Sequence, residues 1–189
     1  IGNGTGGSTG TLDLRNTQPT QSSFVAGTLN VGRSADTSRI ATGHAYLNDV
    51  GGIIQTLQVK DLHFGRGTLE LNAGADVILG NGASDRGTLV VGRIGNAVFT
   101  PTGDFTAHLT SVTIGETRDT GTLDLRNASM QAFNVSGTMT VGSLTGTTRT
   151  GLVYLPSGDV LVGGLTLGST GSLLQLEGTD FTVTSSTFS

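Results

Sequence analysis

Three arginines share one recurring position. Arg33, Arg66 and Arg93 each follow a glycine that closes a short run of the x-Leu-x-Val-Gly type, and Glu116 stands next in the series. If those runs stack, the guanidiniums form a column about 5 Å apart, suited to clamping the sulfates or carboxylates of an acidic polysaccharide. The alternative is that they fan into solvent or pair with Asp36, Asp85, Asp119 and Glu116. Tyr46 and Tyr154 fall at the same outward position of two longer repeats, where a ring either stacks on a sugar or lies beneath a corner loop. Asp76, Asp104, Asp159 and Asp180 each open a short run, and stacking makes them two adjacent carboxylate pairs. A retaining glycosidase uses such a spacing. Any stacked column produces it automatically, however, and an aspartate that opens a strand is commonly an Asx turn. Asp13 with Arg15, and Asp124 with Arg126, are outward charge pairs two residues apart.

Metal and cofactor chemistry find little here. There is no cysteine, and His44, His63 and His108 lack H-x-H or H-x-x-x-H spacing. The Gly-Gly-x-Gly-x-Asp calcium repeat is absent. The expectation is no catalytic residue, no metal and no cofactor.

The elements that must position these residues are repeats. Gly10-Thr-Leu-Asp-Leu-Arg-Asn16 returns intact as Gly121-Thr-Leu-Asp-Leu-Arg-Asn127, and Gly27-Thr-Leu-Asn-Val-Gly-Arg33 returns as Gly87-Thr-Leu-Val-Val-Gly-Arg93. The chain reads as one domain over 1–189, built from two diverged copies (about 10–80 and 121–189) around intervening coils at 81–120. Inside them the signature recurs six times, ending at Gly32, Gly65, Gly92, Gly115, Gly142 and Gly168, at intervals of roughly 23 to 33 residues. Two alternating apolar runs precede most signatures. Around residues 96 to 101 the first run is degraded to Asn-Ala-Val-Phe-Thr-Pro.

Three short strands per turn with glycine or asparagine at the corners predict a parallel β-solenoid of about seven coils. Leu12, Leu14, Leu29, Val31, Leu123, Leu125, Met139 and Val141 are the expected inward positions. Glycine after each third strand suits a corner of positive φ. Hairpin signals of the Asn-Gly type occur only at Asn3 and Asn81, against an antiparallel sandwich.

Composition agrees. Of 189 residues, 31 are Gly, 31 Thr and 16 Ser, while apolar residues make up 35% and aromatics 5%. That excludes a helix bundle, a coiled coil and a helical membrane protein, and regular Val/Leu/Ile/Phe alternation excludes disorder. A formal charge of -4 supplies no attraction for nucleic acid or an anionic membrane, and no membrane insertion is expected. Ice binding needs flat T-x-T rows. The outward pairs of the third strand read Thr28/Asn30, Asp61/His63, Thr88/Val90, Ser111/Thr113, Thr138/Thr140 and Gly164/Thr166, of which one is T-x-T.

The recurring Gly-Thr-Leu-x-Val-Gly with Thr/Ser/Gly-rich corners resembles the repeats of extracellular bacterial β-solenoids, notably autotransporter passengers and secreted surface repeat proteins. The resemblance implies an all-β, right-handed parallel β-helix at the cell surface. Its implied roles are adhesin, passenger segment, or fibre or matrix subunit. It supplies no catalytic motif. Carbohydrate binding or polysaccharide cleavage is the alternative, with ice binding a minor one.

A start at Ile1 without Met or a signal segment is expected of a cleaved precursor or an excised piece. No cap is visible at either end. Either the terminal segments themselves form a cap, or the expected partners are neighbouring coils of a longer chain or a second molecule stacked head to tail through Ile1, Phe181 and Phe188. Cell-surface carbohydrate is a further expected partner.

Overall fold

The computed structural model describes residues 1, 8–33, 41–93, 95–116, 120–142, 150–168 and 171–184. Among them the chain is strand and turn throughout. In order come β1 (Thr9–Asp13), β2 (Ser23–Val31), β3 (Thr42–Tyr46), β4 (Thr56–Phe64), β5 (Gly67–Glu70), β6 (Asp76–Leu79) and β7 (Gly87–Val91). Then follow β8 (Ala97–Phe99), β9 (Asp104–Ile114), β10 (Gly121–Asp124), β11 (Ser129–Val141), β12 (Gly151–Leu155), β13 (Gly158–Leu167), β14 (Leu173–Leu176) and β15 (Thr179–Val183). Alternation with period two builds them. In β12 the side chains of Val153 and Leu155 are buried, whereas Leu152 and Tyr154 stay partly exposed on the other face.

All pairings between these strands are parallel. One sheet runs β1-β3-β5, a second β8-β10-β12-β14, and a third β2-β4-β6-β9-β11-β13-β15, with β7 also pairing β4 and β9. The register sets like over like. Leu29 lies opposite Leu62, which is followed by Leu89, Val112, Met139 and Leu165. Val31, Phe64, Val91, Ile114 and Val141 form the neighbouring column. The first column is 5% exposed at Leu29 and Leu165 and 0% exposed between them, so each row shields the next. Leu12 and Leu14 are only partly buried because β1 is outermost in its sheet.

Two expectations about the turns change. The second and third runs fuse into one strand in β2, β4, β9, β11 and β13. No residue of positive φ breaks them, and in β9, β11 and β13 slips in register accompany the bend, as between Val135 and Met139. They separate into β6 and β7 only where Gly80 and Gly82 adopt φ of 79° and 107°. Positive φ also holds at Gly32, Gly92, Gly115 and Gly142 but not at Gly65 or Gly168. Gly65 is needed for a different reason, since a Cβ there would strike the Gly32 carbonyl.

The core is sensitive to its rows. Leu62→Ala, which empties the middle of a fully buried column, is expected to cost about 2–5 kcal/mol in urea denaturation. Val98→Thr on the surface should stay within about 0.5 kcal/mol, and equal effects at the two positions would contradict the stacked register.

Candidate functional site

The outward face of the first two sheets carries one device twice. Arg15 donates from Nε and Nη2 to the two carboxylate oxygens of Asp13 at 2.9 and 2.6 Å. Arg126 grips Asp124 at the same two distances, 2.9 and 2.6 Å. The backbone amides of Arg15 and Arg126 close each turn onto the same aspartate. The ladder sets Tyr46 opposite Asp13 and Tyr154 opposite Asp124. Each arginine therefore lies over the tyrosine of the next row, 3.7 Å from the Tyr46 ring centre and 4.3 Å from that of Tyr154. A guanidinium covers each tyrosine. The following row adds Glu70 beside Tyr46 and Gln175, bonded to Glu177, beside Tyr154.

This pairing shows in the carboxylates. Hydrogen bonds from the Arg15 side chain and amide hold the Asp13 pKa down at about 2. Arg126 lowers Asp124 in the same way. Charge is thus neutralised within each clamp, and what remains outside is the face of a locked guanidinium.

The third-strand row makes a second polar network. Asp61 accepts from the Thr88 amide and hydroxyl, both at 2.9 Å, and from the Thr28 hydroxyl at 3.2 Å. With its proton given to Asp61, the Thr88 oxygen accepts from His63 Nε2 at 3.0 Å. His63 Nδ1 lies 3.0 Å from both Arg33 Nη1, which only donates, and Asn30 Oδ1, which only accepts. Burial first, then the Arg33 charge, lowers its pKa from 6.5, with Arg93 adding to the effect and Asp61 opposing it.

The arginine series diverges. Backbone bonds from Gly65 to Val31 and from Gly92 to Phe64 put the three positions in successive rows, but each side chain has its own surroundings. Arg33 bonds His63 and Asn30. The Arg66 stem lies against Gly95. Arg93 Nε is 3.3 Å from a Glu116 oxygen without pointing its hydrogen at it; at that distance the charges attract regardless of the angle. Asp85 pairs with Lys60 instead of an arginine. Asp36 and Asp119 lie outside the described residues.

The aspartates do come together in twos. The Asp104 amide donates to Asp76 at 3.0 Å, and Asp159 stands directly opposite Asp180. Asp76 thus accepts from the strand opening of the next row, a bond between rows and not the local Asx turn expected. His44 contacts the Thr68 hydroxyl and lies parallel to Tyr46, while His108 is on a different sheet. Among the described residues no three potential ligands gather as a metal site.

At the proposed assembly ends, the Ile1 nitrogen donates to Asn30 O at 3.0 Å and its carbonyl accepts from Gly32 N at 3.1 Å. Ile1 thereby covers part of the outer edge of β2. Phe181 lies opposite Val160 and is partly buried against the core. Phe188 falls outside the described residues.

Sequence reasoning missed Asp49. Its buried carboxylate accepts from the Ile53 and Ile54 amides at 2.9 Å and from Asn72 at 2.7 Å. Burial raises its pKa, but these bonds outweigh that and leave it below the ordinary value. The only sequence signal was a polar corner containing two glycines.

No family model matches the chain, and no curated protein or solved structure is detectably similar to it.

Two titrations check this electrostatic picture. By NMR, Asp13 should titrate near 2 and Arg15→Ala should return it toward 3.8; an unshifted Asp13 in the intact chain would refute the clamp. Because the folded pKa of His63 lies below 6.5, the unfolded chain binds more protons just below that pH. Stability should therefore be full above about pH 6.5 and decline as pH falls below it. Urea midpoints measure it, and His63→Asn should flatten the slope. An equal slope in the variant would remove His63 from the explanation.

Proposed function

We propose that the chain is a right-handed parallel β-solenoid of about seven coils with a non-catalytic, structural role outside the cell. In this reading it is a stiff segment of a surface or matrix assembly, a fibre subunit or an adhesin or passenger segment, extended by contact between solenoid ends. The observation that carries the reading is the continuous parallel ladder from β2 to β15, with apolar columns running its length. Such a ladder is stiff along its axis and presents unpaired N–H and C=O groups at its outermost strands.

The exposed large side chains support end-to-end contact. Leu167 stands opposite buried Val141 and Leu176 opposite buried Leu155, and at these last rows of their inward columns the two leucines are 38% and 42% exposed. Continuing the register places Leu174 over Leu12 of a second copy and Gln175 over Asp13, apolar on apolar and polar on polar. This contact is heterologous, so it does not close. The Arg–Tyr clamps fit the role as surface braces between rows, because their charges are already satisfied.

Leu12→Asp and Phe181→Asp should each abolish filaments in negative-stain microscopy while circular dichroism stays unchanged. Mixed together, the two variants retain one intact end each and should form a dimer in sedimentation velocity. Wild-type chain that stays monomeric at high concentration, or a mixture that yields no dimer, would overturn head-to-tail assembly.

A further inference from the structure

One atom of the third-strand network has two partners and can serve only one at a time. His63 Nδ1 lies 3.0 Å from Arg33 Nη1 and 3.0 Å from Asn30 Oδ1. A guanidinium nitrogen only donates, and an amide oxygen only accepts. The ring nitrogen has a single in-plane site, which holds either a lone pair or a hydrogen. With a lone pair it accepts from Arg33. With a hydrogen it donates to Asn30, and Arg33 becomes a donor facing a donor.

The other ring nitrogen decides which change of state the site follows. Thr88 Oγ1 is 2.9 Å from the Asp61 carboxylate, which also takes the Thr88 amide at 2.9 Å and the Thr28 hydroxyl at 3.2 Å. A bond to a carboxylate is the stronger use of the Thr88 proton. The Thr88 oxygen is then left to accept, and His63 Nε2, at 3.0 Å, is its donor. Nε2 therefore keeps its hydrogen throughout. The neutral ring presents a bare Nδ1 to Arg33, and the charged ring gains its proton at Nδ1 and bonds Asn30.

Burial is the largest influence on the ring and disfavours its charged form. Among the described residues, Arg33 after β2 and Arg93 after β7 act in the same direction, and Asp61 on β4 itself opposes them. Arg93 stands 3.3 Å from Glu116, Lys60 is bound to Asp85, and the Ile1 ammonium is bound to the Asn30 carbonyl. We propose that His63 is an acid-operated latch, holding the Arg33 side chain across the first two rows when neutral and releasing it when protonated. The other contact of Arg33, with Asn30 Oδ1 at 3.3 Å, is to the oxygen that the charged ring claims. Two cations then compete for one oxygen, and the guanidinium, on the longer and more flexible side chain, is the one that leaves. Because β2 is outermost in the third sheet, release loosens a tie between its first two rows and frees a guanidinium at that end under acid conditions. The latch needs only the ladder and is independent of assembly.

Nitrogen-15 NMR of the intact chain, titrated from about pH 8 to about pH 4, tests it. At the upper end the ring should carry its hydrogen on Nε2, and the Arg33 guanidinium should rotate slowly. The Nδ1 proton and fast guanidinium rotation should then appear together, with one midpoint below 6.5. Asn30→Ala removes the acceptor of the charged ring and should lower that midpoint by about one pH unit. Arg33→Met keeps the stem, removes a like charge and should raise it by about as much. Both replaced side chains are partly exposed, and thermal unfolding near neutral pH checks that each variant keeps its fold. A neutral ring with its hydrogen on Nδ1, an Arg33 that stays restrained through the titration, a midpoint unmoved by Asn30→Ala, or a ring that stays neutral until the chain unfolds would each overturn the latch.

Discussion

The protein depends on the parallel backbone ladder and on the register that the ladder keeps. Parallel pairing carries each residue over its counterpart one row earlier, so a leucine meets a leucine and a threonine a threonine. Apolar columns such as Leu29 to Leu165 follow from this. The dry interior comes from many such overlaps of modest size, since a fully buried aliphatic side chain contributes about 1.5–3 kcal/mol. Glycine guards the closest approaches. At Gly32 a Cβ would meet the Arg66 carbonyl, and the residue also sits at a φ of 60° that favours glycine.

The surface chemistry is a product of the same ladder. Asp13 and Tyr46 are far apart in sequence and adjacent in space, so an arginine held by the first can cover the second. The arrangement appears again, with nearly the same distances, around Asp124 and Tyr154. His63 is held by a chain of partners drawn from three successive rows, and burial there lowers its pKa. Where the ladder fails between β5 and β8, unpaired edges and an unpartnered amide oxygen mark the gap. Order and its interruption generate two different kinds of surface from one scaffold.

Much of the strand arrangement was legible because the signature states its own register. Aligning the glycines puts Leu29, Leu62 and Leu89 in one column, as observed. The fusion of neighbouring runs was not legible. Slips such as that between Met130 and Ala132 depend on how two strands share a bend, and no residue type announces them. The clamps were half legible. Asp13 with Arg15 stood out as a pair and Tyr46 as an outward ring, yet only the row spacing, applied to both together, brings the arginine over the ring. The degraded run at 96 to 101 was visible as a departure from the pattern. Its consequence, that the three-residue β8 shares no ladder with β5, is a matter of strand pairing, which sequence spacing does not reveal.

The stacking of rows can be measured as a distance. Val25 and Leu161 are both exposed and lie on β2 and β13, five ladder steps apart in the third sheet. The chain has no cysteine, so Val25→Cys and Leu161→Cys can be spin-labelled as a single pair. Double electron–electron resonance should then give a distance centred near 25 Å, as five steps of about 4.8 Å with a small offset along the strands require. A distribution centred at half or twice that length would contradict the ladder and everything built on it.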